Sequence, residues 1–326
     1  MEYINPEAQA HSAQIHIYTK PSLIKDIISL LTKVNELQEY KVSCFGNFIN
    51  FDTDALASGT LIHWLLSREI KVQDSQPLEL WFGIGNKKAR FSKYEFCLIT
   101  GLKFGDNEYP LPDVAKEQES EGILERYFHG QNMTSTELAT YFNNRQHFEH
   151  PMDALKMALV LFVSGVLLGN DYRVKVPAFL WELVEDLDRF NDFEWGKDGY
   201  TMLYHNLHER QIGLKAGEKH RARYHVYGFT HAFQIWAYEA IPQIGQRLGE
   251  KYKSNEIPRF LNWKLPRRAA PLSGVDLETV LKRLKATTDE TEQWYWVRIH
   301  DNPKQGFNYI THENFHLDPS NPAAIK

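Results

Sequence analysis

From Leu78 to Gly105 the chain spells out a strand, a turn, a capped helix and a glycine exit, and no other stretch limits the fold as tightly. Leu78-Glu79-Leu80-Trp81-Phe82-Gly83-Ile84 reads as a buried strand, and Gly85-Asn86-Lys87-Lys88 as its turn. Ser92 stands at the N-cap position with Glu95 three residues on, the capping-box pattern. Phe91, Glu95, Leu98 and Leu102 recur at helical spacing, Phe96 and Ile99 widen the apolar face, and Gly101 and Gly105 are natural stops. Nothing in this stretch brings a nucleophile, a base and an orienting group together, so it is expected to be architecture.

The rest of the chain supplies the layers such a centre needs. Pro21–Tyr40 is a predicted helix with Leu23, Ile27, Leu30, Leu31, Val34 and Leu37 on one face. A turn at Cys44–Asn50 precedes a second helix from about Leu56 to Glu69, with Leu61, Ile62, Trp64, Leu65 and Leu66 expected inside. Ile123–Phe128 and the Thr134-capped Thr134–Phe142 are predicted helices. Pro151–Gly169 is apolar nearly all round and belongs at the centre of a core. Pro177–Phe190 starts on a first-turn proline. An aromatic turn at Phe193–Gly196 leads into helices at Tyr200–His208 and Tyr227–Glu239, the latter stopped or kinked by Pro242, with another turn or two over Ile244–Tyr252. Ile257–Trp263 reads as extended, Lys264–Pro271 as a linker, Leu277–Leu284 as a short helix and Trp294–His300 as a strand. Met1–His16, the loop Asn107–Gly122, Leu214–Arg223 and the tail after Asn314 lack a pattern. No internal repeat or heptad run occurs. The expected fold is mainly α with a small β-sheet (α+β): a flexible N-terminus at 1–15, a single helical domain at 16–265, and a C-terminal linker and extension at 266–326.

Composition narrows the function classes. At 326 residues with 43% apolar and 24% charged residues, the chain is long enough for a large core. A net charge of -5 argues against a globally basic nucleic-acid binder and leaves room for local patches. Two cysteines, Cys44 and Cys97, make a disulfide framework unexpected and fit a reducing compartment. The N-terminus has no apolar core behind a basic start, and the longest apolar run, Ala158–Leu168, is too short to cross a bilayer. A soluble, intracellular state is expected.

Candidate sites are few. His147 and His150, and His205 and His208, are spaced to share a helix face, but no His-Glu-x-x-His or paired Cys-x-x-Cys accompanies them. Exposed or hydrogen-bonded histidines explain that spacing better, though His63, His147, His205 and His231 would form a metal site if folding made them converge. Cys44 and Cys97 lie in apolar sequence and read as buried structural thiols. Gly83-x-Gly85 lacks the third glycine of a dinucleotide fingerprint. Glu182, Glu185, Asp186, Asp188, Asp192 and Glu194 read first as a solvated acidic face that Arg173 and Arg189 pair with, and second as an acid pair or a divalent-cation site. Two basic clusters interleave with aromatics, the combination nucleic-acid binding needs: Lys215, Lys219, His220, Arg221 and Arg223 before Tyr224, and Arg259, Lys264, Arg267 and Arg268 around Trp263. Solvated loops explain them about equally well.

Several segments together resemble one family. They are Cys44-Phe45-Gly46, His63-Trp64-Leu65-Leu66-Ser67-Arg68-Glu69, Arg90-Phe91-Ser92 through Thr100-Gly101-Leu102, Val184-Glu185-Asp186-Leu187, Trp195-Gly196, Trp236 through Pro242, and Pro258-Arg259-Phe260-Leu261-Asn262-Trp263. The resemblance, over about 15–265, is to a plant domain of unknown function often encoded upstream of ubiquitin-like-protein (SUMO-type) cysteine proteases and linked to Mutator-like transposable elements. A weaker likeness is to the plant mobile domain. The resemblance implies no catalytic residues to carry over. The associated protease needs a late cysteine, and the last one here is Cys97. The expectation is a non-enzymatic interaction or targeting module of transposon origin, nuclear or cytoplasmic, with an unknown protein partner, no cofactor or metal, and no signature of oligomeric state. The alternatives are DNA or RNA binding through the basic clusters, and an unrecognised enzyme or protease accessory domain.

Overall fold

The computed structural model describes residues 1–105, 122–145, 147–210, 212–213, 221–267, 272, 277–297 and 299. Most of the polar loop after Asn107, the cations Lys215, Lys219, His220 and Arg268, and the tail after Asn314 lie outside the described residues.

The chain begins with β1 (Glu2–Tyr3), β2 (Ser12–Ile17), α1 (Ser22–Lys33), α2 (Leu37–Val42), α3 (Gly59–Leu66) and β3 (Ile70–Lys71). The strands β4 (Leu80–Ile84) and β5 (Lys87–Phe91) follow, then α4 (Lys93–Thr100). Six helices come next: α5 (Ile123–Phe128), α6 (Ser135–Asn144), α7 (Asp153–Phe162), α8 (Ala178–Leu183), α9 (Leu187–Asp192) and α10 (Trp195–Leu207). The last elements are β6 (Arg221–Val226), α11 (Thr230–Ala240), α12 (Pro242–Leu248), β7 (Glu250–Lys251), β8 (Trp263–Lys264), α13 (Thr288–Thr291) and α14 (Trp294–Val297). Among the described residues the strands form four two-stranded sheets, β1–β3, β2–β6, β4–β5 and β7–β8. The fold is therefore mainly helical with small sheets, as its periodicity predicts.

The all-round apolar helix does sit at the centre. From Asp153 to Leu168 every residue but Lys156 is buried. The helix continues past Phe162 as a π-helical turn over Val163–Leu167, where the Ser164 hydroxyl bonds back to the Val160 carbonyl at 2.9 Å. Its N-terminus is closed from outside: the Glu36 carboxylate accepts the Met152 and Leu155 amides at 2.9 and 2.8 Å. That contact explains why Pro21–Tyr40 is two helices rather than one. Asn35 turns the chain through φ 61°, a conformation asparagine tolerates, and this corner presents Glu36 to α7. Pro177–Phe190 divides for a similar reason, because Asp186 leaves the helix to cap α9 through the Arg189 amide at 3.0 Å.

The strand, turn and capped helix form as expected, with one change. Lys87 and Lys88 are not turn residues but the start of β5, pairing with Ile84 and Gly83. Only Gly85 and Asn86 make the loop, and Gly85 has φ 60°, the positive φ that two-residue hairpin loops take at their first central position. Ser92 caps α4 through the Tyr94 amide at 3.3 Å, and Gly101 ends it in the left-handed region. Glu95 is fully buried, and its carboxylate takes the Ser92 hydroxyl and Arg90. Arg90 reaches Glu79 at 2.8 Å and Glu95 at 2.9 Å with all three side chains under 10% exposed. Burial works against the guanidinium's charge, but Glu95 and then Glu79 outweigh it and raise its pKa. On the other face of the hairpin Phe82 and Phe91 pack with Phe233 and Trp236, ring against ring at 5.2–5.5 Å. Trp195 donates to the Phe190 carbonyl at 2.8 Å and Trp263 to Glu239 at 2.7 Å, whereas the buried Trp236 indole has no hydrogen-bond partner among the described residues.

Other local expectations are corrected by long-range contacts. Met1–His16 is not loose: it contains β1 and β2, whose partners Ile70–Lys71 and Arg221–Val226 are remote in sequence. Trp195–Gly196 begins α10 rather than making a turn, and Ile257–Trp263 contains a 3-10 turn over Arg259–Asn262 rather than running extended. Residues 277–284 hold no helix, because their backbone bonds outward: the Leu281 amide donates to Ala240 at 2.8 Å and the Arg90 amide to Lys282 at 2.9 Å. Trp294–Val297 is helical rather than a strand, and its Tyr295 and Trp296 join the same core as Ile99 and Phe104.

Candidate functional site

The basic residues named from sequence separate once the chain is folded. Arg259 is committed to structure: it bonds Glu290 at 2.6 and 2.7 Å and the Lys285 carbonyl, with Glu239 at 3.5 Å. Lys264 lies over the Tyr252 ring at 5.1 Å, and the exposed Arg267 stands 3.8 Å from Asp54. Lys215, Lys219 and Arg268 are outside the described residues. Arg221 and Arg223 are on one face of β6, and there the structure adds partners.

β2 and β6 pair in parallel, with Ser12 opposite Arg221, Gln14 opposite Arg223 and His16 opposite His225. Alternation along both strands turns all six of these residues to solvent. The other face carries Ala13, Ile15 and Ile17 beside the buried Ala222, Tyr224 and Val226, and it packs on α3, with Ile15 beside Gly59. The signal was in the sequence, since Ser12–Ile17 and Arg221–Val226 both alternate polar and apolar. The pairing across the chain was not.

The ribbon is fixed at several points. His63 bonds the Tyr224 hydroxyl through Nδ1 and the His11 carbonyl through Nε2, both at 3.0 Å, and burial lowers its pKa, so its ring is neutral and structural. Arg210 lies 5.5 Å over the Tyr224 ring. Beyond the strands, Tyr18 and Tyr227 stack at 4.8 Å and His16 and His225 stand 5.6 Å apart. Tyr18 hydrogen-bonds Asp171; burial opposes that carboxylate's charge, but the bonds from Arg173 and Tyr18 prevail and hold its pKa down to about 2. Burial, with His16 and Arg210 adding to it, lowers His225 below its ordinary value. Arg221 and Arg223 bring two guanidinium charges to this face, and neither has an ion-pair partner among the described residues.

The remaining candidates are occupied in other ways. His147 and His150 are exposed, His205 packs on Tyr204, and His208 bonds the buried Glu69 at 2.8 Å. His231 is buried among Phe51 and Phe229, and burial takes its pKa down to about 4. Among the described residues, no group of three or more His, Cys, Asp or Glu side chains is placed to hold a metal. Cys97 is buried and Cys44 half-buried, and burial pushes both thiols well up. The acidic residues after Pro177 do not form one face. Glu185 binds Lys156 at 2.7 Å and the Ile123 amide, Asp186 caps α9, Asp192 holds the buried Lys103, and Arg173 pairs instead with Asp171.

No described helix is long and apolar enough to cross a membrane. Neither a curated protein nor a solved structure gives a match to the chain. A family model, described as a domain of unknown function (DUF1985), matches residues 66–206, from the end of α3 to the last turn of α10. That span takes in the hairpin, α4 and the central helix and leaves both strands of the ribbon outside it. The chain thus contains a DUF1985 domain at residues 66–206.

Proposed function

We propose that this chain is a non-enzymatic interaction module that docks a partner protein on the outer face of the β2–β6 ribbon. One observation carries the reading. Arg221 and Arg223 stand exposed and, among the described residues, without ion-pair partners on a ribbon whose other face is locked to the core, while Arg259 is committed to an internal pair with Glu290 and Arg267 stands within ion-pair distance of Asp54. Arginine, tyrosine and histidine beside short polar side chains are residue types that anchor protein interfaces, and a rigid backing lowers the cost of ordering them. The partner segment that fits is acidic. The family resemblance supports placing the module in a plant, in the nucleus or cytoplasm, with a transposon-derived ancestry beside SUMO-type proteases. A photo-crosslinking residue at Gln14 tests the reading. One defined partner should be captured by the native chain and lost on Arg221→Glu with Arg223→Glu; capture that survives both reversals would refute it.

A further inference from the structure

A second concentration of positive charge appears only in the folded chain, and none of its members belongs to the clusters visible along the sequence. Lys87 and Lys88 sit at the solvent end of β5, and Lys282, Arg283 and Lys285 are exposed on the irregular segment beside it. The juxtaposition is fixed by the backbone bonds from the Arg90 amide to Lys282 and from Leu281 to Ala240. The Lys87 ammonium bonds the Glu278 carbonyl of the same segment. Trp81 is common to both parts: the Lys282 ammonium lies 5.8 Å and the Arg283 guanidinium 5.9 Å from its ring, and Lys88 stands opposite Gly83, two residues along the same face.

We propose that Lys88, Lys282, Arg283 and Lys285, flanked by Lys87, form a ridge that docks the phosphate backbone of duplex nucleic acid without reading its sequence. Charge complementarity is the argument. None of the five has an ion-pair partner among the described residues, and the carboxylate closest to Trp81, Glu79, is taken by Arg90 and by the Trp81 indole at 3.0 Å. Lysine ammonium groups are hydrated point charges, suited to phosphates and poor at the planar, two-point recognition that distinguishes bases. The ridge also lacks the anchor a protein partner would bury. Trp81 is only 5% exposed, and Leu281 is the large apolar side chain that reaches solvent there. The residues differ from those of the ribbon, so this site stands or falls independently of the docking face proposed above.

The test is fluorescence anisotropy of the full chain with a short labelled duplex of mixed sequence, over a series of salt concentrations. The native chain should bind at low salt and weaken steeply as salt rises. Lys88→Gln, Lys282→Gln, Arg283→Gln and Lys285→Gln together should lower affinity at least tenfold, and should flatten the slope of log affinity against log salt by about 3 to 4, since each phosphate contact contributes about 0.9. The pair Lys88→Gln and Lys282→Gln should show about half that change in slope, which keeps the test valid if the fourfold variant folds poorly. Absence of binding by the native chain at low salt, or an unchanged slope in both variants, would overturn the proposal. So would displacement of the duplex by polyglutamate as effective as by unlabelled duplex, which would mark an acidic polypeptide as the occupant. Loss of binding in Arg221→Gln with Arg223→Gln, and not in the ridge variants, would place the nucleic acid on the ribbon and overturn it too.

Discussion

The hairpin with its capped helix and the β2–β6 ribbon are both two strands packed on a helix, yet they use charge in opposite ways. In the hairpin, Arg90 is closed between Glu79 and Glu95 with all three side chains buried. In the ribbon, Arg221 and Arg223 face water with nothing opposite but Ser12 and Gln14. A buried guanidinium is held by its partners and in turn fixes the strand and helix that carry them; an exposed one adds little to stability and remains available to a ligand. One region keeps its charge inside the fold and the other leaves it at the surface.

The comparison breaks first if the hairpin is not architecture. Phe96 is fully buried, and Phe96→Ala should cost about 3–5 kcal/mol in a denaturant melt. A midpoint near that of the native chain, with loss of partner capture, would reverse the assignment. Arg90→Ala should be comparably severe, about 3–5 kcal/mol, because it leaves Glu79 and Glu95 buried without their cation. Adding Glu79→Gln and Glu95→Gln should recover part of that loss; no recovery would mean that the ion cluster is not what Arg90 supports. Ser92→Ala removes only the cap and should cost about 1 kcal/mol by the same melt.

A smaller effect tests the joint between the two regions. The hydrogen bond to Glu69 raises the pKa of His208, against its partial burial. Because the folded value lies above the unfolded one, this contribution is complete below about pH 6.5 and is lost as pH rises through the folded value. Stability should therefore decline as pH rises above neutrality, and His208→Asn should abolish that part of the decline. A variant whose pH profile parallels the native one would show that the pair is inert. Smallest of all, Arg221→Ala and Arg223→Ala should each change stability by less than about 0.5 kcal/mol while weakening partner capture. A large destabilisation would mean that the ribbon's outer face is structural as well.

How much was legible follows the distance between partners. Ser92, Glu95 and Gly101 are within ten residues of one another, so cap, helix and stop could be read directly. Arg90 and Glu79 pair over a separation of only 11 residues. Where a segment's hydrogen bonds go to remote chain, local pattern misled: Leu277–Leu284 has helical spacing, but its amides and carbonyls serve Ala240 and Arg90. Trp294–His300 alternates like a strand, but its first four residues, Trp294–Val297, coil into α14, where Tyr295 and Trp296 are buried. The candidate site was half visible. Arg221 and Arg223 stood out as cations, while His16 and His225 had no reason to be linked until β2 met β6.

By itself the sequence determined the mainly helical class, the central position of Pro151–Gly169, the capped helix after the hairpin and the burial of Cys97. Each depends on side-chain period and on caps, which are properties of neighbouring residues. Tertiary structure decided which charges are spent and which are free. Arg259 and Arg223 look alike along the chain, but one is met by Glu290 and Glu239 and the other by no ion-pair partner among the described residues. It also gathered Lys88 with Lys282 and Arg283, nearly two hundred positions away. Charges act through space, and only the folded backbone says which of them are near.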